Sequence, residues 1–271
     1  MLSPAALRDH YSAFLKPGRV LLTGASEGGL ITVKAIEQHP EIFSGGLAAC
    51  GPVGDFQGQI NHLGDVRVVF DYFFPGVLPG PPWSQSNITI PDALITGWDT
   101  IYKTKVLQAM QARPLATGQL ISVTKLAVGL TPATIGDAVT STLFYNVEGA
   151  NQTLAELGGN PFDNHNRRYS GSLFNWLLNA RVQRFNEDPA AATAIATGYQ
   201  TTGVLEKPII TLHTVSDPVV PYWHETLYAQ KVAQAGASTR LIQIPVLRYG
   251  HCNFTGLEVV GSFALLSALA Q

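Results

Sequence analysis

Short apolar runs ending at glycine or proline alternate with helically spaced apolar positions at both ends of the chain. Residues 19–23 read as a buried strand because the run closes at Gly24. Leu30, Val33 and Ile36 share one helical face, which predicts a helix over 28–38 stopped by His39 and Pro40. Residues 46–50 predict a second strand, closed by Gly51 and Pro52. Strand, helix and strand in that order form a β-α-β unit, the connection that parallel strands need. The last quarter repeats the pattern. A strand is predicted over 209–213, a helix over 223–235 ended by Gly236, a strand over 239–244, and a closing helix after Asn253.

Between about residues 55 and 203 the texture changes. Pro/Gly-rich loops occupy 74–82, and helical periodicity dominates elsewhere, as in 101–111, 173–185 and 189–198. No strong strand signal or internal repeat appears. The expected fold class is therefore α/β, with a mostly parallel sheet built from 1–54 and 204–271. A large, mainly helical insertion over 55–203 is too long for a connecting loop and is expected to act as a cap. Residues 2–16 predict at most one helix before the first strand.

Composition narrows the function. The 271 residues carry 13% charged side chains and a net charge of −2, with no run of Lys or Arg. Nucleic acid and anionic membranes are therefore poor partners. No apolar stretch reaches the roughly 18 residues of a membrane span; the closest, 256–270, is interrupted by Glu258, Ser262 and Ser267. Low Lys and Glu content leans towards an exported protein, periplasmic or extracellular. Cys50 and Cys252 are the two cysteines. Two cysteines make neither a disulfide framework nor a zinc site, and no metal or other cofactor is expected.

The sharpest chemical signal is Gly24, Ala25, Ser26, Glu27, Gly28, a G-x-S-x-G pattern between a strand and a helix. A nucleophilic serine on such a turn is lifted clear of the sheet, and side chains two residues to either side would collide, which explains the glycines. The first helical amides, that of Glu27 among them, then point at a substrate carbonyl as oxyanion donors. The alternative is a serine that merely caps the helix. Asp217 follows the 209–213 strand, where parallel sheets place their sites, and the alternative is an Asp-Pro turn. His251 follows the last strand, 34 residues after Asp217. The order Ser26, Asp217, His251, each after a strand, suits nucleophile, orienting acid and base. Trp223 and His224 follow the acid loop and are candidate pocket residues, with packing as the alternative for Trp223. Arg167 and Arg168 lie in a polar, turn-rich loop and are candidates for an anionic substrate group, the alternative being a surface loop. Cys50 and Cys252 are expected at one edge of the sheet as two buried free thiols, with a disulfide as the alternative.

In these motifs the sequence resembles the α/β-hydrolase superfamily over 19–54 and 208–271. The segment from Asp217 to Pro221 is similar to the acid loop of many esterases and prolyl-oligopeptidase-like peptidases. His251 and Cys252 resemble half of the tannase and feruloyl-esterase pattern, in which a cysteine preceding the nucleophile bonds the cysteine after the histidine; here that preceding residue is Ala25. The resemblance implies a serine hydrolase acting through an acyl-enzyme on a small-molecule ester or a peptide. It also implies strands, and a second oxyanion donor, ahead of the nucleophile strand. On that basis the chain is expected to be a C-terminal portion with weak turnover, self-associating through the open strand edge. Three functions stay open: a carboxylic-ester hydrolase, a peptidase of the prolyl-oligopeptidase or aminopeptidase kind, and a catalytically silent partner-binding fragment.

Overall fold

A computed structural model describes residues 6, 10, 18–85 and 88–270. The helix expected over 2–16 lies, apart from Ala6 and His10, outside the described residues. The elements run β1 (Leu21–Ala25), α1 (Glu27–Gln38), β2 (Gly45–Ala49), α2 (Phe56–Phe73), α3 (Asp92–Thr96) and a π-helical turn (Trp98–Tyr102). Next come α4 (Lys103–Ala112), α5 (Pro114–Thr124), α6 (Pro132–Leu157), α7 (Asn175–Arg181) and α8 (Pro189–Gly198). The chain closes with β3 (Ile209–Ser216), α9 (Trp223–Gln234), a 3-10 turn (Ser238–Arg240), β4 (Leu241–Tyr249) and α10 (Gly256–Leu269). These elements divide into two compact units, residues 1–55 with 199–271, and residues 56–198.

The first unit is an α/β layer structure. Its four strands lie in the order β1-β2-β3-β4 and every neighbouring pair is parallel. The register aligns Ala25 with Ala49, Ala49 with Leu212 and Leu212 with Ile244. A parallel sheet puts all carboxyl ends at one edge, so the residues following each strand gather there. Among the described residues β1 pairs with β2 alone. Alternation along β2 divides the core. Ala48 joins Val33 and Ile36 of α1 and Tyr228 and Val232 of α9 on one face. Leu47 and Ala49 turn the other way, towards Leu266 of α10. Val33 and Ile36 are fully buried, worth about 1.5–3 kcal/mol each.

The second unit is helical. Its core holds Trp83, Phe162, Phe70, Phe74 and Leu143. A Cβ on Gly64 would lie 2.4 Å from the Phe162 ring, so α2 needs a bare backbone there. α6 ends at Gly158 in the left-handed conformation (φ 70°), the usual glycine stop. The helix expected over 173–185 stops at Arg181. Asn164 accounts for the difference: its side chain accepts from the Phe185 amide at 2.7 Å and donates to the Gln183 carbonyl at 2.9 Å. These bonds hold 183–185 out of the helix. No helix among the described residues is long and apolar enough to cross a membrane.

Candidate active site

Ser26 stands between β1 and α1 with φ 55° and ψ −124°, a strained conformation for a residue with a side chain. Two contacts fix the turn: the Ser26 amide donates to the Ala49 carbonyl at 2.9 Å and the Gly29 amide donates to the Ser26 carbonyl at 2.9 Å. The glycines around it are not equivalent. A Cβ on Gly24 would lie 2.1 Å from the Gly28 carbonyl oxygen, whereas one on Gly28 meets nothing within 4 Å. Gly29 is the second constrained position, where a Cβ would come 2.9 Å from the Ala49 carbonyl oxygen. The collision expected at Gly28 is thus found one residue later, where α1 crosses the end of β2.

The Ser26 hydroxyl does not cap α1. It lies 2.9 Å from Nε2 of His251, and Nδ1 of the same ring lies 2.8 Å from Oδ2 of Asp217. Asp217 is fully buried. Its Oδ1 accepts from the amides of Val219 and Val220 at 2.9 and 3.0 Å, which suits an ionised carboxylate because such a group only accepts. The ring then carries its proton on Nδ1 and offers Nε2 to the hydroxyl. The three residues come from the ends of β1, β3 and β4 and meet because all three strands run the same way. Glu27 is exposed. As the first residue of α1, its N–H is one of the four that a helix leaves without an intrahelical acceptor.

The loop carrying His251 is pinned on both sides. Arg248 donates to both Glu258 oxygens at 3.0 Å and to the Asn253 carbonyl at 2.7 Å. The Arg248 hydrogen bonds, with the Thr255 amide, hold the Glu258 carboxyl down at about 2. Thr255 and Glu258 also form a capping box at the start of α10. Cys50 and Cys252 are joined in a disulfide with a Cα separation of 5.3 Å. This corrects the expectation of two free thiols. Strand register explains it, because Cys50 follows β2 as Ser26 follows β1, at the edge that β4 delivers Cys252 to. Bonded to each other, these sulfurs are not thiolates for a metal. Cys252 Sγ lies 3.5 Å from His251 Nε2.

Trp223, His224 and Arg167 have structural partners. The Trp223 ring, half-buried, stacks on His224 with centroids 3.8 Å apart. His224 is buried, and its Nδ1 accepts from the amides of Gly54 and Asp55 at 3.1 and 3.3 Å. Arg167 pairs with Asp65 and donates to the Asp163 carbonyl at 3.0 Å. Arg168 is exposed. Sequence reading missed His213 and Glu225. His213 is buried on β3, its Nδ1 3.1 Å from Glu225 Oε1 and its Nε2 3.7 Å from Asp217 Oδ2. A histidine inside an apolar strand, four residues before the acid, was the available signal.

No protein-family model and no curated protein matches the sequence. Among solved structures, the chain is similar to an acetylester hydrolase from Corynebacterium glutamicum (12% identity, TM-score 0.43, covering 98% of this chain and 65% of that one). It is similar to feruloyl esterase B from Aspergillus oryzae (14%, 0.39, 90% and 55%). It is also similar to Pyrococcus horikoshii acylaminoacyl peptidase (10%, 0.38, 97% and 25%). The chain thus spans a quarter of the peptidase and just under two thirds of the acetylester hydrolase.

Proposed function

We propose that the chain is a serine hydrolase of the α/β-hydrolase kind that cleaves carboxylic esters through an acyl-enzyme. The observation that carries this reading is the continuous contact from Ser26 Oγ through the His251 ring to buried Asp217. Ser26 Oγ attacks the carbonyl carbon while His251 Nε2 takes its proton. Asp217 keeps the ring in the Nδ1–H form and stabilises the imidazolium that results. His251 then protonates the leaving alcohol, and water releases the acyl group by the same steps in reverse. The Glu27 N–H, at the positive end of α1, faces the developing oxyanion. One such donor is worth roughly a hundred- to a thousandfold in rate.

A panel of short acyl esters against aminoacyl amides, run on wild type and Ser26→Ala, tests this. Ester turnover that depends on Ser26 and exceeds amide turnover is expected. Amide cleavage dominating would make the chain a peptidase, and turnover undiminished in Ser26→Ala would remove the mechanism.

A further inference from the structure

We propose that His213 is a positioning residue that acts through Asp217: held as a buried cation by Glu225, it sets how firmly Asp217 keeps a proton on His251. This rests on the serine-hydrolase reading above. His213 is 1% exposed. Its Nε2 lies 2.9 Å from the Val220 carbonyl, which can only accept, so Nε2 carries a hydrogen. Its Nδ1 faces Glu225 Oε1 at 3.1 Å. The other Glu225 oxygen already accepts from the Thr211 hydroxyl at 2.5 Å and the Gln243 amide at 2.6 Å. A carboxylate so surrounded calls for a proton on Nδ1 as well. Burial pulls the imidazole down, but the hydrogen bond and charge of Glu225, the charge of Asp217 and the Val220 carbonyl outweigh it and raise it above the ordinary value.

The cation and His251 share one atom. Asp217 Oδ2 lies 2.8 Å from His251 Nδ1 and 3.7 Å from His213 Nε2. The acid loop is also clamped from two sides, since Val220 gives its amide to Asp217 and its carbonyl to His213. The titratable groups around His213 are Glu225 from α9, Asp217 from the loop after β3, and Tyr222, whose ring centroid stands 5.7 Å away. Burial and Glu225 raise the Tyr222 phenol, so it stays neutral. β4 contributes the neutral Gln243. The group therefore holds two carboxylates and one cation beside the base. Removing the cation strengthens the field of Asp217 at His251 and delays release of the base until higher pH. A histidine that only filled space would change the rate equally at every pH.

The test is the pH dependence of Ser26 labelling by a fluorophosphonate probe. His213→Gln keeps a donor for Val220, and the double variant His213→Gln with Glu225→Gln removes the carboxylate that the single change leaves stranded. In folded His213→Gln the midpoint of labelling should move up by roughly half to one pH unit, and in the double variant, which loses a carboxylate with the cation, it should move up by less. An unchanged midpoint with a uniformly lower rate overturns the proposal. If neither variant folds, ring-nitrogen NMR of wild type decides: both His213 nitrogens protonated across the labelling transition supports the role, and a neutral ring overturns it. Wild type that Ser26 labelling does not reach would instead defeat the hydrolase reading, while the NMR result still reports on His213.

Discussion

The sheet unit and the helical unit both bury charged groups, but they satisfy them differently. In the helical unit Arg67 is wholly buried, and its Nε donates to Asp71 at 2.9 Å and its Nη1 to Asn146 at 3.4 Å. Nearby, Tyr169 donates to Asp65 at 2.6 Å and accepts from Asn164 at 3.0 Å, while Arg184 donates to the carbonyls of Asn164 and Arg167. Donor answers acceptor, and these networks close on themselves. In the sheet unit the chain of contacts ends on a hydroxyl instead. Among the described residues, three non-glycine residues there hold positive φ, namely Ser26 at 55°, Cys50 at 47° and Cys252 at 50°, against Lys125 alone in the helical unit. Strain gathered beside an open-ended hydrogen-bond chain is what the reaction proposed for Ser26 needs. A closed network on ordinary backbone serves folding.

That contrast can be broken by substitution. Asp217→Asn should lower Ser26-dependent turnover by about 10⁴-fold, because the amide favours the wrong imidazole tautomer. Its thermal unfolding should show a far smaller effect, and a loss of under tenfold in rate would mean that Asp217 is not the acid. Arg67→Met should do the reverse. It strands Asp71 and cuts the stability of the helical unit by about 3–5 kcal/mol, measured by denaturant unfolding, while the folded fraction labels at the wild-type rate. Cys50→Ser opens a link across 202 residues and should cost about 2–5 kcal/mol. Wild type titrated under denaturing, non-reducing conditions should show no free thiol, and two would contradict the disulfide.

The smallest effect is expected at Gly28. Gly28→Ala meets open space in a helix and should be neutral or stabilising by up to about 1 kcal/mol. Gly24→Ala drives a carbon into the Gly28 carbonyl and should be the far more damaging of the two in the same melt.

Periodicity made the sheet unit legible because its strands are short, apolar and closed by glycine or proline. β3 and β4 still ran past their predicted ends, to Ser216 and Tyr249, since polar Thr214 and Ser216 pair across a bulge rather than end the ladder. That Ser26, Asp217 and His251 would meet could be expected from their order and strand-end positions. Glu225 could not, because a carboxylate in the first turn of α9 reads as a favourable helix start, and only folding brings it to His213. The shared edge of Cys50 and Cys252 was legible from the strands they follow, but the choice between two thiols and a disulfide was not, because it depends on the 5.3 Å Cα separation that strand register sets. In the helical unit, Asn164 overrode a good helical pattern at 183–185 through bonds that no local propensity records.

The hydroxyl of Ser26, on the strained turn after β1, is proposed as an activated nucleophile. Incubating the purified chain with a fluorophosphonate and mapping the adduct by peptide mass tests it most directly. Rapid, stoichiometric modification is expected at Ser26, slowed by about a thousandfold or more in His251→Ala and absent in Ser26→Ala. Modification elsewhere, or labelling of Ser26 no faster than that of a free serine, would contradict it.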